Sequence, residues 1–397
     1  MNSNHKSNKF SLLLEILIVS TKLGLTSFGG PIAHLGYFRE EYVRRKKWID
    51  DQNYADLVAL SQFLPGPASS QVGIGIGVIR AGVLGGIISF IGFTLPSVII
   101  LTLFALLLQD LDIKNSGWIH GLKLVAVPIV AQAILGMVKN LTPDLKRKAL
   151  ALFAMIATLI WQTSFTQIAV ILISSICGYF LYQDNEKSDK TILVTNISKK
   201  VSLICLAIFF ILLVLLPLIS SFTSSKWIAI FDSFYRAGSM VFGGGHVVLP
   251  LLERDFVPTG WINKETFLAG YGFTQAVPGP LFTFASYLGT VMMGWRGGLI
   301  ATIAIFLPAF LLILGTLPFW SSMRRNSKLR RALLGVNAAV VGILISAFFN
   351  PIWISSVFSI FDFLIVAILF IMLVMMKLPP WVIVLVGAIS GEIFSRI

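Results

Sequence analysis

The stretch SQFLPGPASS, residues 61–70, interrupts a long apolar run with two prolines around one glycine. Pro65 ends a helix because proline lacks an N–H and clashes with the preceding turn. Gly66 has free dihedral angles, and Pro67 suits the first position of a new helix. The stretch therefore predicts a broken helix whose second part begins within the apolar run.

The stretch occurs twice, because TQAVPGPLFT at 274–283 follows the same pattern, [ST]-Q-x-[LV]-P-G-P-x-x-[ST]. The sequence Phe-Gly-Gly also recurs, at 28–30 and at 242–244, and Trp-Ile recurs at 48–49 and 261–262. These matches keep a spacing of 212 to 214 residues through about 80 residues of each half. We infer an internal duplication, which is typical of secondary transporters.

The composition indicates a membrane protein made of helices. Of 397 residues, 56% are hydrophobic and only 12% are charged, and several apolar runs reach the length of a membrane span. The first run, 10–30, lacks a cleavage site and is interpreted as a retained helix. We predict an all-α polytopic membrane protein with about thirteen transmembrane segments: 10–30, 54–80, 86–108, 118–139, 148–162, 166–182, 201–221, 227–244, 267–292, 298–319, 332–350, 361–377 and 380–395.

The repeat divides the chain into a first transporter repeat at 1–185, a linker with an extra helix at 186–225, and a second repeat at 226–397. Six segments plus the extra one separate equivalent points, and an odd number predicts that the two halves are inverted. With the amino terminus inside and the carboxyl terminus outside, three basic loops lie in the cytoplasm, as cationic loops do. These loops are 139–148, 183–200 and 321–331, whereas the basic loop 39–47 falls on the wrong side.

The net charge of +13 is explained by these loops, so we predict no nucleic-acid partner. Cys177 and Cys205 lie in apolar runs, and the four histidines are scattered. We therefore predict no disulfide framework, metal site or cofactor.

The two motifs predict an anion site. A half-helix that begins in the membrane presents free N–H groups and a positive dipole end. Hydroxyl and amide donors flank both breaks, and neither motif contains a carboxylate, which argues against a cation such as sodium. The predicted substrate-binding residues are Ser61, Gln62, Pro65, Gly66, Pro67 and Ser70, their counterparts Thr274, Gln275, Pro278, Gly279, Pro280 and Thr283, and the glycines Gly29, Gly30, Gly243 and Gly244. The alternative is that each PGP only kinks a helix for packing.

Lys22 and Arg236 occupy equivalent positions, six residues before Phe28 and Phe242. A cation within a membrane helix costs roughly 2.5 to 3.5 kcal/mol on insertion scales, so it needs a compensating role. We predict that both bind a dianion at the interface of the halves. The alternative is an ion pair, with Glu15 for Lys22 or with Asp232 for Arg236.

The motifs FGGPIAHLGYF and SQFLPGPASSQVG, with FGGGHVVLPLLE and TQAVPGPLFTFASYLG, resemble the two halves of the chromate ion transporter family. This resemblance covers nearly the whole chain. It implies a multi-pass protein of the plasma membrane with antiparallel halves, which moves chromate, commonly outward as a resistance determinant. The residues alone indicate only an oxyanion transporter, because sulfate is also a tetrahedral dianion.

Other functions fit the sequence less well. An intramembrane enzyme would need paired acids or a nucleophile beside a base, and no such arrangement occurs at helical spacing. A general oxyanion carrier and a channel are both left open, as is a homodimer. The lipid bilayer and the anion are the partners that the sequence predicts.

Overall fold

The computed structural model describes residues 3–28, 30–109, 117–161, 164–182, 197–242, 245–320, 323 and 326–394. In these ranges the chain forms fifteen α-helices and no strand, which confirms the all-α class. The first seven helices are α1 Ser3–Thr26, α2 Gly30–Phe38, α3 Asp51–Phe63, α4 Ala68–Gln109, α5 Gly117–Leu141, α6 Leu145–Ile160 and α7 Ser164–Leu181. The others are α8 Lys199–Phe222, α9 Lys226–Met240, α10 Val248–Phe256, α11 Lys264–Thr274, α12 Phe284–Thr316, α13 Ser327–Ala347, α14 Ile360–Val374 and α15 Pro380–Phe394.

Helices α4 and α12 each fold back on themselves at one point. In α4 the break lies at Ala81 (φ −139°, ψ 21°) and Gly82 (φ 69°, ψ −163°). In α12 it lies at Met293 (φ −142°, ψ 23°) and Gly294 (φ 66°, ψ −173°), with almost the same angles. We call the segments on either side α4a (68–80) and α4b (83–109), and α12a (284–292) and α12b (295–316).

The two segments of α4 pack against each other as an antiparallel pair. A Cβ added to Gly77 would lie 2.3 Å from the carbonyl oxygen of Gly85, so only glycine permits this approach. Ser89 donates a hydrogen bond to the carbonyl of Gly73, at 2.8 Å. The equivalent Gly289 has the same 2.3 Å relation to the carbonyl oxygen of Gly297 in α12.

A second hairpin precedes each of these turns, and its tip is the PGP motif. Leu57 of α3 contacts Gly75 of α4a, and Gly270 of α11 contacts Tyr287 of α12a. The first helix, or leg, of each hairpin begins with an equivalent cap, in which the side chains of Asp50 and Asn263 accept hydrogen bonds from backbone N–H groups. At 13 residues, α3 is about 20 Å long, whereas the hydrocarbon core is about 30 Å thick. Neither leg is therefore long enough to cross by itself.

The Phe-Gly-Gly motif is the tip of a third kind of hairpin, which we call the FGG hairpin. Helix α1 packs mainly on α4, and ion pairs join it to the π-helical turn Arg39–Arg45 that continues α2 and to the residue that follows this turn. Lys22 Nζ lies 2.8 Å from Glu41 Oε2, and Lys46 Nζ lies 3.1 Å from Glu15 Oε1, which is the register of an antiparallel pair. In the second half, α9 and α10 pair in the same way.

The remaining helices interleave the two sequence halves. Helix α5 packs on α14 and α15, whereas α13 packs on α6 and α7. Small residues permit these contacts, as where Gly121 meets Gly387 and Gly335 meets Gly178. Helix α8 packs on α9 and α12. The halves therefore form one interlocked body.

Five helical stretches in the described residues are long and apolar enough to cross a membrane. They are Ala68–Leu108, Gly117–Leu141, Lys199–Phe222, Leu281–Phe319 and Ser327–Trp353. The polytopic class is confirmed, but the count of thirteen crossings is not. That count takes 54–80 and 267–292 as single spans, whereas each of these runs contains both legs of a PGP hairpin.

Candidate anion site

The backbone leaves helical geometry at both PGP motifs. Helix α3 ends at Phe63 and α4 begins at Ala68, with Gly66 between them at φ +114°. Gly279 adopts φ +104°, in the left-handed region that favours glycine. Pro65, Pro67, Pro278 and Pro280 flank these two glycines. The N–H groups of the two tip glycines are therefore outside helical hydrogen bonding and need other partners.

Each PGP tip is bonded to the FGG hairpin of the other half. The N–H of Gly66 donates to the carbonyl of Val241 at 2.7 Å, and the N–H of Gly279 donates to the carbonyl of Ser27 at 2.9 Å. Ser27 and Val241 are equivalent positions, one residue before Phe28 and Phe242. These reciprocal bonds join the first PGP tip to the end of α9 and the second PGP tip to the end of α1.

The tips lie against α12b and α4b, the long segments that follow the two breaks. A Cβ on Gly66 would lie 3.2 Å from the Cβ of Ala309 in α12b, and one on Gly279 would lie 2.3 Å from Ser97 Oγ in α4b. Ser97 lies near the centre of α4b, and Ala309 lies in the second half of α12b, directly after Pro308. If these segments cross a bilayer, the tips lie near its midplane.

Several buried polar atoms near the tips have no hydrogen-bond partner. They are the hydroxyls of Ser27, Ser61, Ser70 and Thr94, with Gln71 Oε1 and Gln275 Nε2. The four hydroxyls belong to side chains that are at most 2% exposed. The four hydroxyls and Gln275 Nε2 are donors, whereas Gln71 Oε1 can only accept. A buried donor without a partner is costly, so the five donors fit a ligand that accepts hydrogen bonds. A tetrahedral oxyanion is such a ligand.

The predicted site residues are placed differently from one another. Ser61 and Ser70 have free hydroxyls, whereas Thr274 donates to Gly270 O at 2.7 Å and Thr283 to Pro280 O at 2.6 Å. Gln62 is exposed. Gly30 adopts φ +80° at the first FGG tip. Gly29, Gly243 and Gly244 lie outside the described residues.

Lys22 and Arg236 both form ion pairs. Lys22 pairs with Glu41 instead of the expected Glu15, which contacts Lys46 and Arg80. Arg236 pairs with Asp232 at 3.1 Å, as the alternative interpretation held, and with Asp255 at 3.5 Å. Glu41 and Asp255 are equivalent residues, so in both halves an ion pair between the same two positions stabilises the FGG hairpin. The role of both cations in anion binding stays a prediction.

Two histidines next to the FGG tips were not predicted as site residues. His34 lies 3.3 Å from Ser69 Oγ and packs edge-on against Phe93, and His246 lies 2.6 Å from the hydroxyl of Tyr271. Ser27, Gln71 and Thr94 were also missed. The only signal in the sequence was that Gln71 directly follows the motif; the others join the site through the packing of distant segments.

Cavities lie at the open ends of the FGG hairpins. One of about 710 Å³ is lined by residues that include Arg44, Lys47 and Trp48. The other, of about 330 Å³, is lined by residues that include Arg236 and Trp261. Asp50 also lines the first cavity, and the backbone N–H of Asn53 holds the pKa of its carboxyl below the usual value. The described residues contain no cluster of His, Cys, Asp and Glu that could bind a metal ion.

In a comparison with known protein families, the sequence matches the chromate transporter family twice, over residues 14–179 and again over residues 228–392. The chain belongs to the chromate transporter family. A probable chromate transport protein of Synechococcus elongatus is 26% identical over 94% of this chain and 93% of its own length. A chromate transport protein of Pseudomonas aeruginosa is 26% identical over 81% of this chain and 77% of its own length. An uncharacterised transporter of Methanocaldococcus jannaschii is 27% identical over 87% of both chains. No solved structure matches this chain.

These matches confirm the resemblance that the FGG and PGP motifs carry. The family model covers the chain twice, and its relatives extend over most of it, as a fused form with two homologous halves requires. The family consists of membrane transporters, so the protein is a multi-pass transporter and not an enzyme.

Proposed function

We propose that this protein carries chromate, a tetrahedral dianion, across the plasma membrane by alternating access between two inverted halves. The observation that carries the proposal is the reciprocal bonding of the PGP tips to the opposite FGG hairpins, beside buried hydroxyls without partners. Irregular backbone at membrane depth is tolerated where it is enclosed by protein or lines a cavity. Transporter sites are commonly built from such interrupted helices at a repeat interface.

The hairpins support a topology of nine crossings, in which both the FGG and the PGP hairpins enter the membrane and return. The crossing segments are then α4b, α5, α6, α7, α8, α12b, α13, α14 and α15. Five crossings separate equivalent points of the repeat, which is an odd number and keeps the halves inverted. The amino terminus stays in the cytoplasm and the carboxyl terminus outside.

The distribution of charge supports nine crossings over thirteen. With nine, the basic loop 39–47 lies in the cytoplasm, together with 139–148 and 326–331. With thirteen, loop 39–47 is the exception to the rule that cytoplasmic loops carry the excess of lysine and arginine. Folding both hairpins back removes this exception without moving any other basic loop. It also puts the 710 Å³ cavity, whose lining includes Arg44, Lys47, Asp50 and Asp51, on the cytoplasmic side.

The outward direction is part of this proposal and rests on the family resemblance. The lining of the cavity does not add to it, because Asp50 and Asp51 balance the charges of Arg44 and Lys47. Export of chromate from the cell would confer chromate resistance.

The test is uptake of radiolabelled chromate into everted membrane vesicles, with vesicles that lack the protein as the control. We expect uptake above the control, blocked by sulfate only at large excess. Equal competition by sulfate would make the protein a general oxyanion carrier, because hydroxyl donors fit both dianions. Absence of uptake of either anion, with any ion gradient imposed, would contradict the transport proposal and favour the view that PGP only shapes the packing.

A further inference from the structure

The two PGP tips have the same backbone but different chemistry. Two residues after the first Pro-Gly-Pro the chain reads Ser69-Ser70-Gln71, and two residues after the second it reads Phe282-Thr283-Phe284. Phe282 and Phe284 are almost completely buried. The first helix start is therefore polar, whereas two aromatic rings enclose the second.

The hydroxyls conserved between the tips are used differently. Thr274 and Thr283 donate to backbone carbonyls of their own hairpin, at 2.7 and 2.6 Å. Ser61 and Ser70 occupy the same positions in the first half, and neither hydroxyl has a partner. The register that brings Leu57 to Gly75 places Ser61 opposite the start of α4a, where Ser70 lies. Both free hydroxyls therefore belong to one hairpin tip.

The same difference recurs on the elements that surround the tips. Ser27 and Thr94 have buried hydroxyls without partners, and their equivalents are Val241 and Phe306. Ser27 accepts the N–H of Gly279 through its carbonyl, so its free hydroxyl lies beside the second tip. The four unpartnered hydroxyls at the tips thus all come from the first half. Gln275 Nε2 is the one unpartnered donor that the second half adds among the described motif residues.

The two helix starts also differ in their backbone. Helix α4 begins directly after Pro67, and its first α-helical bond runs from Gln71 N–H to Pro67 O at 3.0 Å. The N–H groups of residues 68–70 precede that bond, and free N–H groups at a helix start favour an anion. The second motif continues instead as the 3₁₀ turn Leu281–Thr283, in which the N–H of Thr283 is bonded to Pro280 O.

We propose that the transporter has one anion site, built by the first half, and that the second tip is an apolar buttress. This inference rests on the proposed function and deepens it. Ser61, Ser70 and the start of α4 hold the oxyanion, while the free hydroxyls of Ser27 and Thr94 belong to the first-half helices α1 and α4b, which flank the second tip. Each tip is held to the FGG hairpin of the other half through the bonds of Gly66 and Gly279. Duplication has kept the frame in both halves and the ligand donors in one.

The equivalent hydroxyls supply a matched test within one chain. Ser61→Ala and Ser70→Ala are compared with Thr274→Ala and Thr283→Ala in everted vesicles, at equal amounts of protein in the membrane. We expect KM for chromate to rise about tenfold or more in the serine variants, because a hydrogen bond to a charged group is lost. The threonine variants should change KM by at most about twofold. Equal losses in both pairs, or larger losses in the threonine pair, would overturn the single site.

Two further measurements keep the test decisive. Ser61→Thr and Ser70→Thr retain the hydroxyl and should recover most of the affinity if the serine effect concerns binding and not folding. Purified protein is also heated with chromate or sulfate and without either. Both anions should raise the melting temperature of the wild type and of Thr283→Ala, but not of Ser70→Ala. This pattern without vesicle uptake would retain the site and reject transport, whereas an equal rise in all three proteins would reject the site.

Discussion

At the scale of single residues, Lys22–Glu41 is one of two ion pairs that close the first FGG hairpin, together with Lys46–Glu15. The Glu41 side chain is 8% exposed, whereas that of Lys22 is 50% exposed, so the carboxylate is the more buried group and keeps only Arg45, at 3.6 Å, if the pair with Lys22 is broken. We expect Lys22→Gln to lower the free energy of unfolding by about 1–3 kcal/mol, toward the lower end since Lys22 is partly solvated. The measurement is thermal unfolding in detergent, alongside vesicle transport.

A charge reversal separates a bracing role from contact with the anion. The double variant Lys22→Glu with Glu41→Lys should recover both stability and transport, because the pair is re-formed in the opposite sense. Arg39→Gln is the matched control, since its pair with Asp51 is exposed and is worth under about 1 kcal/mol. Recovery of stability without recovery of transport would show instead that the positive charge at position 22 contacts the substrate.

At the scale of elements, the α4a–α4b hairpin depends on glycine at its contact surface. Gly77→Ala would place a Cβ 2.3 Å from the Gly85 carbonyl, so we expect a loss of about 1–3 kcal/mol through overpacking. Gly136→Ala in α5 meets no atom within 4 Å and should gain up to about 1 kcal/mol from helix propensity. Melting temperatures of both variants in detergent are compared with the wild type. A Gly77→Ala protein as stable as Gly136→Ala would mean that the two segments do not pack as described.

The sequence predicted where the helices break better than it predicted in which direction the chain continues after each break. Pro65 and Pro67 locate the break, because proline has a local effect on the backbone that does not depend on tertiary structure. The run 54–80 has the length of one span, and nothing in its composition shows that the chain turns back after the break and forms the second leg of a hairpin. For the same reason Lys22 could be recognised as a costly charge, while Glu41 could not be recognised as its partner. That contact forms only when the hairpin closes.

In the candidate site, too, some residues could be predicted from the sequence and others could not. Ser61 and Ser70 belong to a repeated motif and were predicted from it, although the pattern treats Thr274 and Thr283 as their equals. The difference between them lies in whether each hydroxyl reaches a nearby carbonyl, which the residue types of the pattern do not determine. Ser27 and Thr94 carry no signal in the sequence, because α1 and α4b meet the second tip only in the folded protein.

At the scale of the whole molecule, nine and thirteen crossings make opposite predictions for two loops. Nine crossings put loop 39–47 in the cytoplasm and loop 257–263 outside, and thirteen reverse both. Loop 139–148 is cytoplasmic in either case and serves as the internal control. Cys177 and Cys205 are first replaced by serine, so that one introduced cysteine reports each loop.

The single cysteines are Arg44→Cys, Thr259→Cys and Lys146→Cys, and the label is a maleimide that does not cross membranes. Because both hairpins return to the side from which they enter, Arg44→Cys should react in everted vesicles and not in intact cells, as Lys146→Cys does. Thr259→Cys should react in intact cells. The reversed result at both positions would restore thirteen crossings and place loop 39–47 outside. The 710 Å³ cavity that Arg44 and Lys47 line would then also face outside, and the distribution of basic loops would no longer be explained by hairpins that return to the cytoplasm.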